Sequence, residues 1–543
     1  MTQPIALQKE EPLFWSTGLG TDVWQMFCAA RDGALEQVRK LLAKDPSLVR
    51  GTYDYRTPMS FAVANDRLKV AEYLLQHGAN PVDSGTGDPL IQMARDRGFK
   101  AMEELLERAL NRHKGSEAGK QIAAAIKNRD FKTFNALLDS ADEYVHATDD
   151  EGNQPIHWAT MSRQPEMIDA LLVHGVDINA RRPDGARPIQ LTNGDYSYRG
   201  WRNVPDDWKW KPNDIYLHLV SKGAYVDICM AALKGDEPRV KALLDLDPSL
   251  ANRPSEYVTY YAGSGTPLKN AAMAGRMEIV KLLLEKGADP NLPEEGIAPM
   301  GHALHSAVVY NHIEIVKLLL EHGAHPNVPI ESSADTLTAA LERGDKAMIS
   351  LLCSYGAARS LDLLAYYGDI QTAAAVLKAN PALADDVSAL ETAAGQGNED
   401  FVRLILRYQP DLAKYIGVGV QSSGPQDAIK SRELAEFLFK RGMNPNFRNW
   451  LGIAPLHRFA ERGDIHNAAL FLEHGADIDA IDEQHCTTPL GWAAKAGKVE
   501  MAQFLLERGA NAYLPADKLW ARPRAWAERR GHEAVLALTW PSS

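Results

Sequence analysis

Five histidines that follow one another closely in the sequence could bind a transition metal: His302, His305, His312, His322 and His325. Neutral imidazole is a common ligand of zinc, and a zinc site usually needs four ligands that converge on one point. These histidines fall on different faces of the surrounding predicted helices, and no carboxylate completes the set. We therefore predict that they bind no metal.

A second group of reactive residue types runs from Asp482 through His485 to Cys486. Adjacent histidine and cysteine side chains on an extended strand point to opposite sides, so the imidazole cannot activate the thiol. The neighbouring carboxylates Asp206 and Asp207 lie in a polar loop, where solvated carboxyls keep ordinary pKa values. We therefore predict no catalytic residue, no cofactor and a non-catalytic protein.

Aromatic residues in two insertions are the stronger candidates for a binding site. An inserted stretch, residues 195–210, carries Trp201, Trp208 and Trp210 among polar residues, proline and glycine. Tryptophan often anchors protein interfaces and also stacks on sugars or bases. Two interpretations stay open: the indoles bind a partner, or they fold back and cover the end of a helix.

The second insertion, residues 252–265, carries Tyr257, Tyr260 and Tyr261. Tyr257 and Tyr261 alternate along one face of a predicted hairpin. This hairpin either contacts a partner or packs on its neighbour. Because the two aromatic insertions are one repeat apart, we expect them to flank one part of the surface.

These residues must be positioned by a repeating element. Nine times an amphipathic helical stretch ends with a glycine and a small residue, at His77–Asn80, His174–Asp177, Lys222–Tyr225, Lys286–Asp289, His322–His325, Tyr355–Ala358, Arg441–Asn444, His474–Asp477 and Arg508–Asn511. A unit that recurs along a chain indicates a solenoid, in which each repeat packs on its neighbours.

The clearest unit, residues 266–289, predicts two antiparallel helices. Thr266 can cap a helix that starts at Pro267, because proline has no N–H to leave without a partner. Gly275 ends this helix, and a second one runs from Met277 to Gly287 with an apolar face. Polar turn residues then lead through a hairpin-like finger to the next unit.

This pattern resembles the ankyrin repeat, whose units begin with a TPLH-like motif and close with G-A-D/N. Matching starts read TPMS, QPIH, APLH and TPLG at Thr57–Ser60, Gln154–His157, Ala454–His457 and Thr488–Gly491. The resemblance, to long ankyrin arrays of the bacterial type, implies an all-α solenoid of about 15 or 16 helix-turn-helix repeats with hairpin fingers and an extended concave binding surface. It also implies that His305 bonds neighbouring backbone, as the histidine of this motif does.

The repeat pattern divides the chain into six predicted segments. They are an N-terminal segment 1–23, repeats 24–186, an irregular repeat with the tryptophan insertion 187–227, repeats 228–412, an irregular connection 413–431, and C-terminal repeats with a cap 432–543. Within the connection, Gly417–Pro425 replaces a recognisable helix start, and we expect a break in folding cooperativity there.

Composition narrows the class of partner. The chain has 543 residues, 45% of them hydrophobic, and a net charge of −12, which argues against general binding to nucleic acid or to anionic membranes. Four cysteines without a CxxC spacing, and no signal sequence, favour free thiols in the cytoplasm. We predict a protein-binding or scaffolding protein of unidentified partner and open oligomeric state. The alternative is an enzyme or binding protein for a small molecule or glycan near the aromatic loops.

Overall fold

A computed structural model of the chain describes residues 1–14, 16–82, 88–111, 115–182, 185–192, 204–205, 207–255, 263–294, 298, 300–330, 334–416 and 431–540. The fold is a helical repeat solenoid, which confirms the predicted all-α class. By internal contacts it divides into two compact units. The first unit comprises Met1–Glu107 and Arg359–Ser543, and the second comprises Arg108–Ala358. The six segments drawn from the sequence stay a prediction.

Helices follow one another in pairs along the chain. The N-terminal part contains α1 (Gly20–Asp32), α2 (Leu35–Lys44), α3 (Pro58–Ala64), α4 (Leu68–Gln76), α5 (Leu90–Arg97) and α6 (Lys100–Asn111). The second unit contains α7 (Glu117–Lys127), α8 (Phe131–Ser140), α9 (Glu143–His146), α10 (Pro155–Met161), α11 (Pro165–Val173), α12 (Pro212–Ser221), α13 (Ile228–Lys234), α14 (Glu237–Leu246), α15 (Pro267–Met273), α16 (Met277–Glu285), α17 (Ala303–Val309), α18 (Ile313–Glu321), α19 (Thr336–Glu342) and α20 (Lys346–Ser354). The C-terminal part of the first unit contains α21 (Leu361–Tyr367), α22 (Ile370–Ala379), α23 (Val387–Gln396), α24 (Glu399–Tyr408), α25 (Arg432–Phe439), α26 (Pro455–Arg462), α27 (Ile465–Glu473), α28 (Pro489–Lys495), α29 (Val499–Glu507), α30 (Pro523–Arg530) and α31 (Glu533–Leu536).

Short elements connect these helices. A two-stranded antiparallel hairpin pairs β1 (Pro329–Ile330) with β2 (Ala334–Asp335) before α19. Turns of 3-10 helix lie at Ile5–Gln8, Pro46–Arg50, Pro188–Leu191, Pro248–Asn252, Pro381–Ala384, Leu412–Tyr415 and Leu519–Ala521. Residues 417–430, where a cooperativity break is predicted, lie outside the described residues.

Local capping explains where the helices begin. At the start of α15 the Thr266 side chain accepts a hydrogen bond from the Lys269 amide, and Pro267 occupies the first helical turn. Gly275, with φ of +69°, follows the end of α15, because a residue with a Cβ rarely adopts this conformation. The two helices predicted for residues 266–289 are therefore confirmed.

Small and large apolar residues share the packing. Ala271 and Ala272 of α15 are fully buried and let the first helices of successive repeats approach closely. Val280 and Leu283 of α16 are also fully buried, and such burial contributes about 1.5–3 kcal/mol per large aliphatic side chain. Each compact unit has its own continuous apolar core.

Asparagines at the start of the fingers join neighbouring repeats. The Asn291 side chain donates to the Gly323 carbonyl and accepts from the His325 amide, both over 2.8 Å. Asn446 bridges to Gly475 in the same way. One side chain therefore satisfies two backbone groups at the end of the following repeat.

The length and polarity of the described helices decide whether any of them could cross a membrane. None of those within the described ranges has the length and apolar character that crossing a bilayer requires. Cys28, Cys229, Cys353 and Cys486 are free thiols.

Candidate partner-binding surfaces

Of the six aromatic residues predicted to bind a partner, the structure describes Trp208 and Trp210. Trp201, Tyr257, Tyr260 and Tyr261 lie outside the described residues. Whether these six form one site therefore stays a prediction.

Trp208 is half-buried on the turns that end α7 and α10. Its indole N–H donates to the Arg163 carbonyl over 2.9 Å, and the Arg129 guanidinium carbon lies 4.5 Å from the centre of its ring. Burial lowers the pKa of the Arg129 guanidinium from its ordinary value. The ring is held in one orientation by a hydrogen bond and a cation–π contact, and part of it remains accessible.

Trp210 lies two residues further on, directly before α12. It is half-buried against the apolar core of the second unit. The ammonium group of Lys209 lies 5.2 Å from the centre of the Trp210 ring, and it forms an ion pair with Glu166 over 3.2 Å. We call Arg129, Trp208, Lys209 and Trp210 together the tryptophan–cation surface.

Exposed apolar side chains also lie on α11, which carries Glu166, and on α12, which follows Trp210 in the chain. Val173, the last residue of α11, is 85% exposed, and Leu217 of α12 is 56% exposed. The two helices are joined through Asp169, whose carboxylate accepts from His218 over 2.9 Å and pairs with Lys222 over 2.8 Å. Burial raises the pKa of the Asp169 carboxyl, but Lys222 and His218 outweigh it and hold that pKa below its ordinary value.

The histidines of the second unit behave unequally. His312 contacts the Met273 carbonyl over 3.2 Å, and His322 contacts Leu318 over 2.8 Å, as structural histidines of a repeat would. The expectation that His305 bonds neighbouring backbone is wrong for Nδ1, which is buried and finds no hydrogen-bond partner among the described residues. The physical reason is the cap of α17: the preceding residue, His302, is not in the extended conformation seen elsewhere.

The consensus arrangement is present at His157 and His457. His157 Nδ1 accepts from the Gln154 amide over 3.0 Å, and its Nε2 contacts the Ala180 carbonyl over 2.9 Å. By contrast, burial and the neighbouring His302 lower the pKa of His305 to about 4. Across the described part of the chain, no group of His, Cys, Asp and Glu side chains is placed to hold a metal ion.

The first unit contains a contact that the sequence did not predict. The Trp450 indole N–H donates to the Asp54 carboxylate over 2.9 Å, although the two residues are 396 positions apart. The Trp450 ring packs against Phe27, Tyr53 and Phe61, with ring centres 6.2, 5.4 and 5.8 Å away. N-terminal and C-terminal repeats of the first unit therefore meet around one buried tryptophan.

Charged side chains make further contacts between the same two segments. Arg97 is buried, donates to the Gln484 carbonyl over 2.6 Å and lies over the Trp520 ring at 5.2 Å. Arg56 donates to the Gln484 side chain. Burial lowers the pKa of the Arg97 guanidinium, although Cys486, Asp482 and Asp96 nearby oppose this. Arg56 and Arg97 of the N-terminal segment thus both donate to Gln484 of the C-terminal segment.

Carboxylates complete the contact near α30. Asp88 pairs with Lys495 over 2.9 Å and with Arg530 over 3.1 Å, and Asp96 pairs with Arg530 over 2.5 Å. Burial raises the pKa of the Asp88 carboxyl, but Lys495 and Arg530 outweigh it and hold that pKa below its ordinary value. We call the residues that join the two segments the closure seam. From the N-terminal segment it contains Asp54, Arg56, Asp88, Asp96 and Arg97, and from the C-terminal segment Trp450, Gln484, Lys495, Trp520 and Arg530.

The finger at 482–486 contributes Gln484 to the seam, and its His485 does not activate its Cys486. His485 is buried between the Trp492 and Trp526 rings, at 4.9 and 5.7 Å, and burial holds its pKa well below the ordinary value. Burial likewise raises the pKa of the Cys486 thiol, whose Sγ contacts the Lys518 ammonium over 3.5 Å. Neither group is poised for Cys–His chemistry.

Stacked helix pairs with short fingers define a class of repeat solenoid, and comparison with known families identifies it. The family model described as "Ankyrin repeats (3 copies)" matches residues 228–330 and 426–515. A second family model, described as "Ankyrin repeat", matches residues 54–83 and 151–180. The chain belongs to the ankyrin repeat family. Repeats of this family are typical of proteins that bind other proteins. The bacterial type expected for the array stays a prediction.

Part of the chain is similar to part of three named proteins. E3 ubiquitin-protein ligase XB3 of Oryza sativa subsp. japonica is 27% identical over 29% of this chain and 39% of its own length. Inversin of Homo sapiens is 26% identical over 34% of this chain and 17% of its own length. Palmitoyltransferase AKR1 of Lachancea kluyveri is 26% identical over 29% of this chain and 22% of its own length. The chain thus spans well under half the length of the relatives it matches.

These relatives correct one prediction. The sequence predicted a non-catalytic protein, and that prediction is wrong as a class assignment, because the proteins similar to this chain include ones named as ubiquitin ligases and as a palmitoyltransferase. The match covers 39% of XB3 and 22% of AKR1, so no catalytic residue of those proteins is assigned to this chain.

Proposed function

We propose that the protein recognises a protein partner through the tryptophan–cation surface, and that this recognition selects the substrate of a protein-modifying reaction such as ubiquitin transfer. The observation that carries the proposal is the arrangement at Trp208, whose half-buried ring is fixed by Arg163 and Arg129. The names of the ligase relatives support the second part.

A tryptophan that is already oriented is well suited to binding. Little side-chain entropy is lost when a partner covers it, so more of the contact energy appears as affinity. Arg129 and Lys209 beside the two indoles favour a partner segment that presents carboxylates together with an apolar group. The exposed side chains of Val173 and Leu217 extend the same region.

The aromatic insertions outside the described residues belong to this proposal. Trp201 lies seven positions before Trp208 in the same insertion, and Tyr257, Tyr260 and Tyr261 belong to the next finger insertion. We propose that they widen the surface. We also propose a cytoplasmic location, which the four free thiols support.

The test compares two charge reversals in affinity capture with the full chain. Lys209→Glu reverses a cation of the surface, whereas the control Lys286→Glu breaks an ion pair of the same 3.2 Å length with Asp245 elsewhere in the second unit. For a partner captured by the unchanged protein, we expect Lys209→Glu to weaken binding roughly tenfold or more and Lys286→Glu to leave it unchanged. Equal effects would place the binding site elsewhere.

A second assay tests the modification. The captured partner is incubated with the full chain, ubiquitin, ATP and the activating and conjugating enzymes. Ubiquitin should be attached with the unchanged protein and much more slowly with Lys209→Glu. Capture without modification would retain the binding part of the proposal and refute the enzymatic part. A glycan or small molecule that competes for Trp208 would favour the alternative ligand class.

A further inference from the structure

The turn between the two helices of a repeat needs a residue in the left-handed conformation, and two such turns of the second unit carry arginine. Gly235 and Gly275 adopt φ of +81° and +69° there, as residues without a Cβ readily do. Arg129 and Arg163 hold the same position with φ of +58° and +56°. A residue with a Cβ is strained in this conformation, so these two turns carry arginine against the preference of the backbone.

Both arginines hold the tryptophan insertion. Arg163 Nε donates to the Thr192 carbonyl over 3.4 Å, and the Arg163 carbonyl accepts from the Trp208 indole over 2.9 Å. Thr192 precedes the insertion and Trp208 lies near its end, so one turn residue holds the chain on both sides. The Arg129 guanidinium carbon lies 4.5 Å from the centre of the Trp208 ring. A cation and an indole therefore have fixed positions at these turns.

A second contact between a cation and a ring lies two repeats further on, at the turn between α13 and α14. The Lys234 ammonium is 4.6 Å from the centre of the Tyr216 ring of α12. Arg276, at the next turn, packs on Gly235, where a Cβ would lie 3.0 Å from Arg276 Nε. Burial and the charge of Arg276 lower the pKa of the Lys234 ammonium. Two like charges are thus held side by side.

No carboxylate neutralises these two cations. Among the described residues, neither Lys234 nor Arg276 forms an ion pair, and Asp236 of the same turn instead accepts from the Arg239 amide. The dipole of α13, a helix of seven residues, attracts a cation to its last turn, but it offers two of them only a partial charge. Neighbouring cations without a counter-charge favour an anionic ligand.

We propose that the turn edge of the second unit, formed by Arg129, Trp208, Lys234 and Arg276, binds an extended acidic segment of a protein partner. The inference rests on the proposed function in taking Trp208 as one end of the site. Neighbouring repeats stack about 8–10 Å apart, so the five repeats from α7 to α16 span about 35 Å, which about ten extended residues cover. The net charge of −12 repels such a segment from the rest of the surface and confines it to this edge.

Fluorescence anisotropy with the full chain tests the turn edge with a defined probe. The probe is a labelled peptide of about ten residues, all glutamate apart from two central phenylalanines. A control probe replaces every glutamate with glutamine. We expect the acidic probe to bind at least about tenfold more tightly than the amide probe, and its Kd to rise with ionic strength because the pairing is electrostatic.

Two double variants with the same change of charge make the result specific. Lys234→Gln with Arg276→Gln removes the two cations without ion pairs and should raise the Kd about tenfold or more. Lys281→Gln with Lys286→Gln removes two cations of the second unit that already pair with carboxylates, and it should leave the Kd within about twofold.

A glycine substitution separates binding from folding. Arg129→Gly removes the cation beside Trp208 and gives the turn the residue that Gly235 provides elsewhere. The Kd should therefore rise about threefold or more, while the midpoint of thermal unfolding should not fall. Asn311, with φ of +61°, holds the same position in a later repeat, and Asn311→Gly is the matched control that should leave the Kd unchanged.

The outcomes decide the proposal. Equal Kd values for the acidic and amide probes, or equal effects of the two double variants, would overturn it. Oligothymidylate of the same length that binds as tightly would also overturn it, because the edge would then accept any polyanion. A fall in the thermal midpoint of Arg129→Gly together with weaker binding would make Arg129 structural and refute its part. The proposed function fails separately, if Lys209→Glu leaves partner capture unchanged while the probe still binds through Lys234 and Arg276.

Discussion

Histidines at one position of a repeat meet different surroundings in this protein. His157 is bonded at both ring nitrogens to backbone groups, whereas His305 is buried with Nδ1 unpartnered among the described residues. Sequence alone placed both in the same motif. The difference arises because the local backbone before α17 departs from the extended cap, which the motif does not encode.

His305 should therefore make the stability of the second unit depend on pH. Burial lowers its pKa from 6.5 to about 4, so the folded state favours the neutral ring. Its stabilisation is complete above pH 6.5 and is lost as the pH falls towards 4, because the unfolded chain takes up a proton that the folded chain refuses. The loss should reach about 3 kcal/mol at most.

Urea unfolding of the unchanged protein and of His305→Gln measures this. The difference in unfolding free energy between them should change by about 2 kcal/mol or more between about pH 7 and about pH 4.5, with the unchanged protein losing stability. A difference that is constant across this range would mean that His305 titrates normally.

The indole N–H groups of the second unit predict a contrast between two substitutions. Trp158 donates to the buried carboxylate of Asp149, so Trp158→Phe should destabilise the unit by about 1–3 kcal/mol. The buried Nε1 of Trp210 finds no acceptor among the described residues, so Trp210→Phe should cost much less. Thermal unfolding of the two variants tests this. Equal losses would show that ring volume, not hydrogen bonding, dominates.

At the scale of elements, the helices could be predicted because their signals are local. Thr266, Pro267 and the glycines after each helix fix the boundaries of α15 and α16 within a few residues. The 3-10 turns were not predicted. Pro248–Asn252 forms one because Asp247 accepts from the Ser249 amide, a short-range preference that helical periodicity does not reveal.

The finger asparagines should couple adjacent repeats. Asn291→Ala removes one acceptor and one donor that satisfy backbone of the next repeat, so we expect a loss of about 1–2 kcal/mol in the unfolding free energy. Among the described residues, Asn80 accepts from the Val82 amide within its own turn and makes no bond to the next repeat, so Asn80→Ala is the matched control and should cost less. Hydrogen exchange should show faster opening of α18 in Asn291→Ala alone. The same exchange in both variants would refute the coupling role.

At the scale of the whole molecule, contacts far apart in sequence limited what could be predicted. A repeat pattern specifies which neighbours stack, but it carries no information on Trp450 meeting Asp54, 396 positions away. Both residues lie in fingers, and the repeat pattern does not specify which distant fingers meet. The aromatic insertion was predicted as a binding site from composition, and the structure adds how Arg129 and Arg163 hold Trp208.

Photo-crosslinking tests most directly whether a protein partner docks beside the tryptophan–cation surface. A photoreactive residue replaces Leu217, which is 56% exposed on α12, and in a control it replaces Leu383, which is 46% exposed in the first unit. We predict that a protein partner is crosslinked from position 217, that Trp208→Ala reduces the yield, and that position 383 gives little. Crosslinking from position 383 alone, or a yield at 217 that Trp208→Ala leaves unchanged, would contradict the assigned surface.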